Sequence, residues 1–308
     1  MNDRTMNIKT LRDGVLQHEG LNFVLTNRIP RLAANRAIGW FSRIRSPLLT
    51  RASIAVWRCF ADLDLSDAQA SRFHSLHAVF TRELQPGARP IDPDPAALVS
   101  PCDAIIGACG DVQGLQVLQT KGFPYTLDRL FGSGEAARPW RNGTYVTLRL
   151  TSSMYHRFHA PMAARMEHVT HIRGDAWNVN PIALKRVPGL YCLNERAVIR
   201  LRLAGGHRLA LVPVGAILVA SIRLHALQLH LHQRYRGAEQ IACDVALQKG
   251  QELGWFEHGS TIVLFAPAGF VLRPRIKTGS RIRMGEALMT VPPVERMTNC
   301  EADCTPAE

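Results

Sequence analysis

The sequence lacks the cysteine and histidine patterns of a metal or disulfide protein. Its seven cysteines are an odd number, and no two of them form a C-x-x-C pair. No signal peptide precedes them, so we expect a reduced protein on the cytoplasmic side. In "YHRFHAP" (155–161), Arg157 and Phe158 stand where a zinc-binding H-E-x-x-H helix would have its glutamate. We therefore expect no metal.

Long uncharged runs are also missing. The longest covers residues 209–222 and contains Pro213 and Gly215. A membrane-spanning helix needs about 20 apolar residues, which this run does not reach. It predicts buried strands around a turn and no transmembrane segment.

Acidic residues are scarce at the amino end. Residues 1–60 contain ten basic residues and three acidic ones, and residues 28–60 contain seven arginines, no acid and many aromatic and aliphatic side chains. Pro30 and Pro47 suit the starts of two helices. This composition predicts amphipathic helices that lie in an anionic membrane surface. The alternative is a basic helical hairpin packed on its own core. No nucleic-acid partner is expected, because recognition motifs and stacking aromatics are missing.

The remaining sequence predicts an α+β protein, with amino-terminal amphipathic helices followed by a β-rich catalytic domain. Residues 62–84 read as a polar helical stretch, and the Pro/Gly-rich "PGARPIDPDP" after it reads as a boundary. We predict three regions: a helical membrane-association region (1–92), the catalytic domain (93–291) and a disordered tail (292–308). Alternating or apolar runs of strand length follow the boundary, at residues 144–150, 196–203, 208–214 and 260–266.

Three separate segments supply side chains that carry chemistry. Asp103 enters an apolar run, His156 and His159 lie in "YHRFHAP", and the pair Gly259-Ser260 opens a strand. An acid, an imidazole and a hydroxyl are the parts of a triad, although Ser260 lacks the G-x-S-x-G frame of a hydrolase. Each has a structural alternative as well: a turn-capping aspartate, surface histidines and a turn serine.

In their order and with their flanks, these segments resemble the phosphatidylserine decarboxylase family, which is pyruvoyl-dependent. The similarity extends over residues 27–291, and "YHRFHAP" followed by "KGQELGWFEHGST" (249–261) is its most specific part. Other matching segments are "FTRELQPGARPID" (80–92), "SPCDAIIGACG" (100–110), "KGFPYTLDRLF" (121–131), "WNVNPIAL" (177–184), "NERAVI" (194–199) and "VGAILVASI" (214–222).

The resemblance implies that the chain is a proenzyme that cuts itself between Gly259 and Ser260. His159, oriented by Asp103, would take the Ser260 proton, and the hydroxyl oxygen would attack the Gly259 carbonyl. Elimination from the resulting ester leaves dehydroalanine, which water converts to a covalent pyruvoyl group with release of ammonia. The products would be a β chain (1–259) and an α chain (260–308) that stay associated.

The resemblance also implies the reaction of the mature enzyme. The pyruvoyl ketone at position 260 would form a Schiff base with the amine of phosphatidylserine and accept the electrons left when CO₂ departs, giving phosphatidylethanolamine. His156 would return the proton and Tyr155 could assist; the alternative for His156 is a purely structural imidazole. Because the substrate is a lipid, the enzyme would be peripheral on the cytoplasmic side of the cell membrane.

Four positions depart from the family pattern: Met154, Ala164, Ala220 and His258. Met154 stands where the family usually has an acid before the tyrosine, which bears on how the histidine segment is oriented. None of the four removes a member of the triad. Two other functions stay open at this point. One is a serine hydrolase whose Asp-His-Ser triad acts on an external ester, and the other is a membrane-binding protein with a decayed site.

Overall fold

The computed structural model describes residues 30–119, 123–217, 221–257 and 261–293, together with Gly20 and Phe23. Within these residues the protein contains both helices and strands; β-sheets make up most of the regular structure, and the helices are few. None of the helices in the described part of the chain is both long and apolar enough to cross a membrane.

The two longest described helices are near the amino end. The helices are α1 (Arg31–Ser42), α2 (Pro47–Phe60), α3 (Leu76–Phe80), α4 (Leu127–Phe131), α5 (Gly134–Ala137), α6 (Pro181–Leu184) and α7 (Leu190–Leu193), and a 3-10 turn covers Arg138–Trp140. α2 begins where the sequence predicts, because Pro47 has the backbone angle of a first helical residue and the Ser46 hydroxyl accepts a hydrogen bond from Leu49 N at 3.3 Å.

Long-range contacts attach α1 to segments that follow the strands, and α2 to α3. At the start of α1, the Arg31 Nε atom donates to Asp175 at 2.9 Å. At its end, the Arg43 guanidinium donates to both carboxylate oxygens of Glu257, at 2.8 and 2.6 Å. In α2 the Trp57 ring lies 4.4 Å from the ring of Phe80 in α3. α1 is therefore held on the β-rich part of the protein, and α2 packs against α3.

Antiparallel pairing builds all the sheets. The strands of the largest sheet are β2 (Ala104–Asp111), β5 (Thr144–Arg149), β7 (Ala164–Ile172), β8 (Arg196–Leu203), β9 (Arg208–Val214), β12 (Gln240–Leu247), β14 (Thr261–Ala266) and β16 (Arg281–Ile282). Their order across the sheet is β12-β7-β8-β9-β14-β5-β2-β16. A four-stranded sheet contains β11 (Leu229–His232), β10 (Ser221–Leu224), β13 (Glu252–Phe256) and β6 (Arg157–His159) in that order. The smaller sheets contain β1 (Ala97–Val99), β17 (Ala287–Thr290) and β15 (Val271–Leu272), and β3 (Gln116–Leu118) with β4 (Pro124–Thr126).

β14 lies in the middle of the large sheet, between β9 and β5. Every residue of this strand is buried. Its side chains alternate between two apolar cores: Ile262 and Leu264 belong to one, and Val263 and Phe265 belong to the other. A strand covered on both faces reads as a continuous apolar run, which explains the pattern of residues 260–266.

The predicted strands agree closely with the structure, whereas one predicted helix is wrong. The runs at 144–150, 196–203, 208–214 and 260–266 become β5, β8, β9 and β14.

The polar stretch 62–84 is helical only over Leu76–Phe80. Its first part turns instead, because the Asp64 carboxylate accepts a hydrogen bond from Ser66 N at 2.9 Å and Ala68 pairs with Leu84 in an isolated bridge. Most of the predicted tail, residues 294–308, lies outside the described residues.

Candidate active site

Asp103 lies in the turn between β1 and β2 and is buried. Its carboxylate accepts hydrogen bonds from the Arg89 guanidinium, from Nε at 2.9 Å and from Nη2 at 2.7 Å, and from Met284 N at 2.9 Å. Arg89 also donates to Asp67 at 2.8 Å. Burial opposes the charge on Arg89, but the hydrogen bonds and charges of both carboxylates outweigh it and raise the pKa of the guanidinium.

The His159 imidazole is held at both nitrogens. Nδ1 lies 2.9 Å from the Gly250 carbonyl oxygen, and Nε2 lies 3.1 Å from the Tyr155 hydroxyl. A carbonyl only accepts, so Nδ1 carries the proton and Nε2 is left as an acceptor to which Tyr155 donates. Burial lowers the pKa of His159, and the Gly250 carbonyl partly offsets this. His159 is therefore a neutral imidazole with its basic nitrogen at Nε2.

The expected hydrogen bond from His159 to Asp103 is not found among the described contacts. Arg89 is hydrogen-bonded to the Asp103 carboxylate instead, because its charged, forked N–H donors match a carboxylate better than one neutral imidazole N–H does. The two groups are still neighbours: His159 N donates to Pro101 O at 2.8 Å, and the charge of Asp103 acts to raise the pKa of His159. In this structure the Gly250 carbonyl fixes the tautomer and Asp103 acts through space.

Sequence reasoning missed Arg89 and Gly250. Both lie in segments that resemble the family, "FTRELQPGARPID" and "KGQELGWFEHGST". Gly250 has a φ of +78°, and an added Cβ would come within 2.0 Å of the Ile91 side chain. A glycine is therefore required at the position whose carbonyl holds His159, and this conformational need is the signal that could have identified it.

His156 has different surroundings from His159. Its side chain is fully buried, and its ring lies 5.7 Å from the ring of Phe80. Its backbone carbonyl accepts a hydrogen bond from Phe256 N at 3.0 Å, which fixes it beside the end of β13. That end of β13 leads into residues 258–260.

An apolar cavity of about 760 Å³ opens beside the start of β14. Its walls come from α1, α2 and α3, from the segment after β5 and from Thr261 at the start of β14, and they include Phe41, Val56, Trp57 and Phe80. The Thr261 residue is fully buried, and its hydroxyl has no hydrogen-bonding partner among the described residues. The cavity is thus bounded by the amino-terminal helices, by Phe80, which lies beside His156, and by Thr261, the residue that follows Ser260.

The predicted cleavage site, Gly259-Ser260, lies outside the described residues, as do the departures His258 and Ala220. The described residues on either side are Glu257 and Thr261. Glu257 is buried, and burial acts to raise the pKa of its carboxyl, but the charge and hydrogen bond of Arg43, together with His230 and His77, lower it overall. α1 is thereby tied to the residue three positions before Ser260.

The other two departures are described. The Met154 sulfur lies 3.5 Å from Thr151 N, within a turn that leads to the histidine segment. Ala164 is buried at the start of β7, where it pairs with Leu203 and Leu247. Within the described residues no cluster of His, Cys, Asp and Glu has the make-up of a metal site.

Comparison with known proteins gives one consistent family. A family model described as phosphatidylserine decarboxylase matches residues 76–290. A protein of Halorhodospira halophila is 40% identical over 236 residues, covering 73% of this chain and 78% of the relative. One from Anaeromyxobacter is 35% identical over 269 residues (84% and 94%), and one from Erwinia tasmaniensis is 33% identical over 284 residues (88% and 93%). All three relatives are named phosphatidylserine decarboxylase proenzyme.

Proposed function

The chain belongs to the phosphatidylserine decarboxylase family and is a decarboxylase, and we propose that it decarboxylates phosphatidylserine with a pyruvoyl group made from its own Ser260. The observation that carries this proposal is the apolar cavity beside Thr261, next in the chain to Ser260. Its size and apolar walls suit part of a lipid, and the buried imidazole of His156 lies behind one wall at Phe80.

The described surroundings of position 260 fit such a group. A pyruvoyl group supplies a carbonyl that accepts the electrons left behind when CO₂ departs from an attached amine. The buried Thr261 hydroxyl, which lacks a partner among the described residues, offers a hydrogen bond to a neighbouring carbonyl. The apolar cavity walls would keep water away from the reacting carbon.

His159 serves as the base of self-cleavage in this proposal. The proton-bearing Nδ1 is occupied by Gly250, so Nε2 is the nitrogen that can accept the Ser260 proton once Tyr155 turns away or passes the proton on. The freed oxygen attacks the Gly259 carbonyl carbon, and the peptide bond becomes an ester. A glycine on the acyl side leaves that carbon open to attack, and nucleophile and target are held in the same chain.

We further propose that the two chains, 1–259 and 260–308, stay together after cleavage. β14, the first strand of the smaller chain, pairs with β5 on one side and β9 on the other. All six of its residues are buried, and five of them, Ile262 to Ala266, belong to the two cores. Separation of the chains would expose this strand and both cores to water, at a cost of about 25 cal/mol for each Å² of apolar surface.

His156 is the proposed proton donor of the decarboxylation step. It lies against Phe80, which lines the cavity, whereas His159 lies in the polar cluster around Tyr155 and Gly250. The two imidazoles would therefore act in different steps: His159 in self-cleavage of the precursor, and His156 in decarboxylation of the substrate. Asp103 supports the negative field at His159 and holds the Arg89 network in place.

The proposed partner surface is an anionic membrane, with the enzyme bound peripherally on the cytoplasmic side of the cell membrane. Support comes from the outer surface of α1 and α2, where large apolar side chains are exposed: Trp40 71%, Leu48 78%, Val56 59% and Phe60 57%. Four exposed arginines that form no described ion pair belong to these two helices and the turn between them, namely Arg36, Arg45, Arg51 and Arg58. Helices that expose both apolar and basic side chains suit a bilayer interface.

Replacing these four arginines by glutamate is expected to release the protein from anionic vesicles. Each basic residue near such a surface contributes about 1 kcal/mol, so the partition constant should fall by roughly a thousandfold. Arg31 and Arg43 are left intact because they hold α1 on the sheet. Vesicle sedimentation measures the effect. The control carries the same charge change at exposed arginines elsewhere, Arg138, Arg141, Arg208 and Arg281. Equal sedimentation of both variants and wild type would refute the membrane role of α1 and α2.

Self-cleavage is expected to stay fast well into the acid range. Burial lowers the pKa of His159, so Nε2 remains unprotonated below about 6.5, the ordinary histidine value. The cleavage rate should be flat from neutral pH down past this value and decline only at lower pH. The measurement follows chain splitting of freshly synthesised precursor on gels between pH 5 and 8. A midpoint at or above 6.5 would mean that His159 is not the base or is not buried during cleavage.

The proposed function is tested directly with vesicles that contain phosphatidylserine labelled at the carboxyl carbon. Release of labelled CO₂ with formation of phosphatidylethanolamine is the expected result. The serine hydrolase alternative predicts neither. It predicts instead an undivided chain whose serine reacts with a fluorophosphonate.

A further inference from the structure

One partly buried arginine has no counter-charge among the described residues. Arg149 is the last residue of β5 and lines the apolar cavity beside Thr261. Burial lowers the pKa of its guanidinium, and the neighbouring Tyr191 opposes this shift. Even so, an arginine keeps its charge at neutral pH. Among the described residues it has neither a hydrogen-bonding partner nor an ion-pair partner, which is costly for a charge in an apolar wall.

The register of the large sheet places Arg149 next to the reacting position. Arg149 on β5 is directly opposite Thr261 on β14. Directly opposite residues of an antiparallel pair project from the same face of the sheet, with α-carbons about 5 Å apart. Because Ser260 precedes Thr261 in the chain, Arg149 lies opposite the residue that is the direct chain neighbour of the proposed pyruvoyl position.

The substrate of the proposed function carries two anionic groups that could pair with this cation, a carboxylate and a phosphodiester. A cation that paired tightly with the carboxylate would stabilise the charge that the reaction must remove, and so would oppose the chemical step. The phosphodiester keeps its charge from substrate to product and is only a few bonds from the amine. Its oxygens also match the fork of guanidinium N–H donors.

We propose that Arg149 binds the phosphodiester of the lipid substrate and thereby sets which amine-bearing lipids enter the site. This inference rests on the proposed function and adds a binding residue to it. Arg149 makes no contact with the Asp103, His159 and Gly250 cluster among the described hydrogen bonds, so we expect self-cleavage to proceed in variants that change its charge.

The test measures binding of two short lipids to the mature, processed protein by calorimetry. Dihexanoyl phosphatidylethanol has the phosphodiester but neither amine nor carboxylate, and dihexanoylglycerol lacks the phosphodiester. In R149Q the affinity for the first should fall roughly 10- to 100-fold, while the affinity for the second stays unchanged. R149K, which keeps the charge but loses the fork, should fall by a smaller factor. R281Q, which neutralises an exposed arginine of β16 in the same sheet, should match wild type.

Steady-state kinetics provide a second, independent measurement. With dihexanoyl phosphatidylserine, R149Q should raise KM by the same factor as the loss of phosphatidylethanol affinity and change kcat little. Unchanged phosphatidylethanol binding in R149Q would overturn the proposal. If KM rises while that binding is unchanged, the carboxylate is the partner and the assignment is wrong. If the R149Q precursor is not cleaved, the same two lipids are compared on R149K, and unchanged phosphatidylethanol binding there would overturn the proposal. Wild-type protein that binds phosphatidylethanol but releases no CO₂ would refute the proposed function and leave the anion site standing.

Discussion

Ser260→Ala is expected to keep the chain in one piece and to abolish decarboxylation. The alanine has no oxygen to attack the Gly259 carbonyl, so neither the ester nor the electron-accepting carbonyl can form. The loss should be on the order of a millionfold, as in other enzymes that lose their nucleophile. Gel analysis of the purified protein and CO₂ release from phosphatidylserine vesicles measure the two effects separately.

Two further variants show whether the effect is specific. Ser71→Ala removes the hydroxyl of an exposed serine and should be processed and active like wild type. Ser260→Thr retains a hydroxyl, so slow cleavage is expected, but the product would carry a ketobutyryl group in place of the pyruvoyl group. A Ser260→Ala protein that still splits between residues 259 and 260 would rule out serine as the nucleophile.

Exchanging the two histidines of "YHRFHAP" for glutamine is expected to give opposite defects. His159→Gln should slow self-cleavage by about 10²- to 10⁴-fold, the usual contribution of a general base, so that the precursor accumulates. His156→Gln should be cleaved normally but lose decarboxylation by a similar factor, because the buried imidazole beside Phe80 is the proposed proton donor. Gel densitometry and CO₂ release are measured on the same preparations.

His74→Gln is the matched control, since it changes an exposed histidine whose spacing to His77 repeats that of His156 to His159, and it should affect neither step. Complete processing of His156→Gln would also demonstrate that this variant folds. If His156→Gln accumulates as precursor while His159→Gln is processed, the two roles are reversed. That outcome would be in keeping with the position of His156 beside the end of β13, which leads into residues 258–260.

Much of the β-rich fold could be predicted because its strands are encoded locally. β5, β8, β9 and β14 are apolar or alternating runs with turn residues at their ends, and burial of both faces of β14 leaves an uninterrupted apolar sequence. The same logic fails for residues 62–75. There the side chains are polar in either conformation, and the Asp64–Ser66 turn and the pairing of Ala68 with Leu84 decide the structure.

The contacts of the candidate site could not be predicted from the sequence. The resemblance to the family names Asp103, His156 and His159 as catalytic candidates, whose roles stay predictions, and the structure brings Asp103 and His159 into neighbouring segments. The sequence could not reveal that Arg89 donates hydrogen bonds to the Asp103 carboxylate or that the Gly250 carbonyl accepts one from His159 Nδ1. These contacts join residues that are far apart in the sequence. The local sequence pattern does not indicate which distant group will bind a given carboxylate or imidazole.

Intact-mass spectrometry of the freshly purified wild-type protein shows whether the chain has cut itself and formed a pyruvoyl group. Self-cleavage at Ser260 predicts two species, residues 1–259 ending in a free carboxylate and residues 260–308. The second should be lighter, by the mass of one ammonia molecule, than a fragment that begins with an unmodified serine. A single full-length mass, or a smaller fragment that retains an ordinary amino-terminal serine, would contradict it.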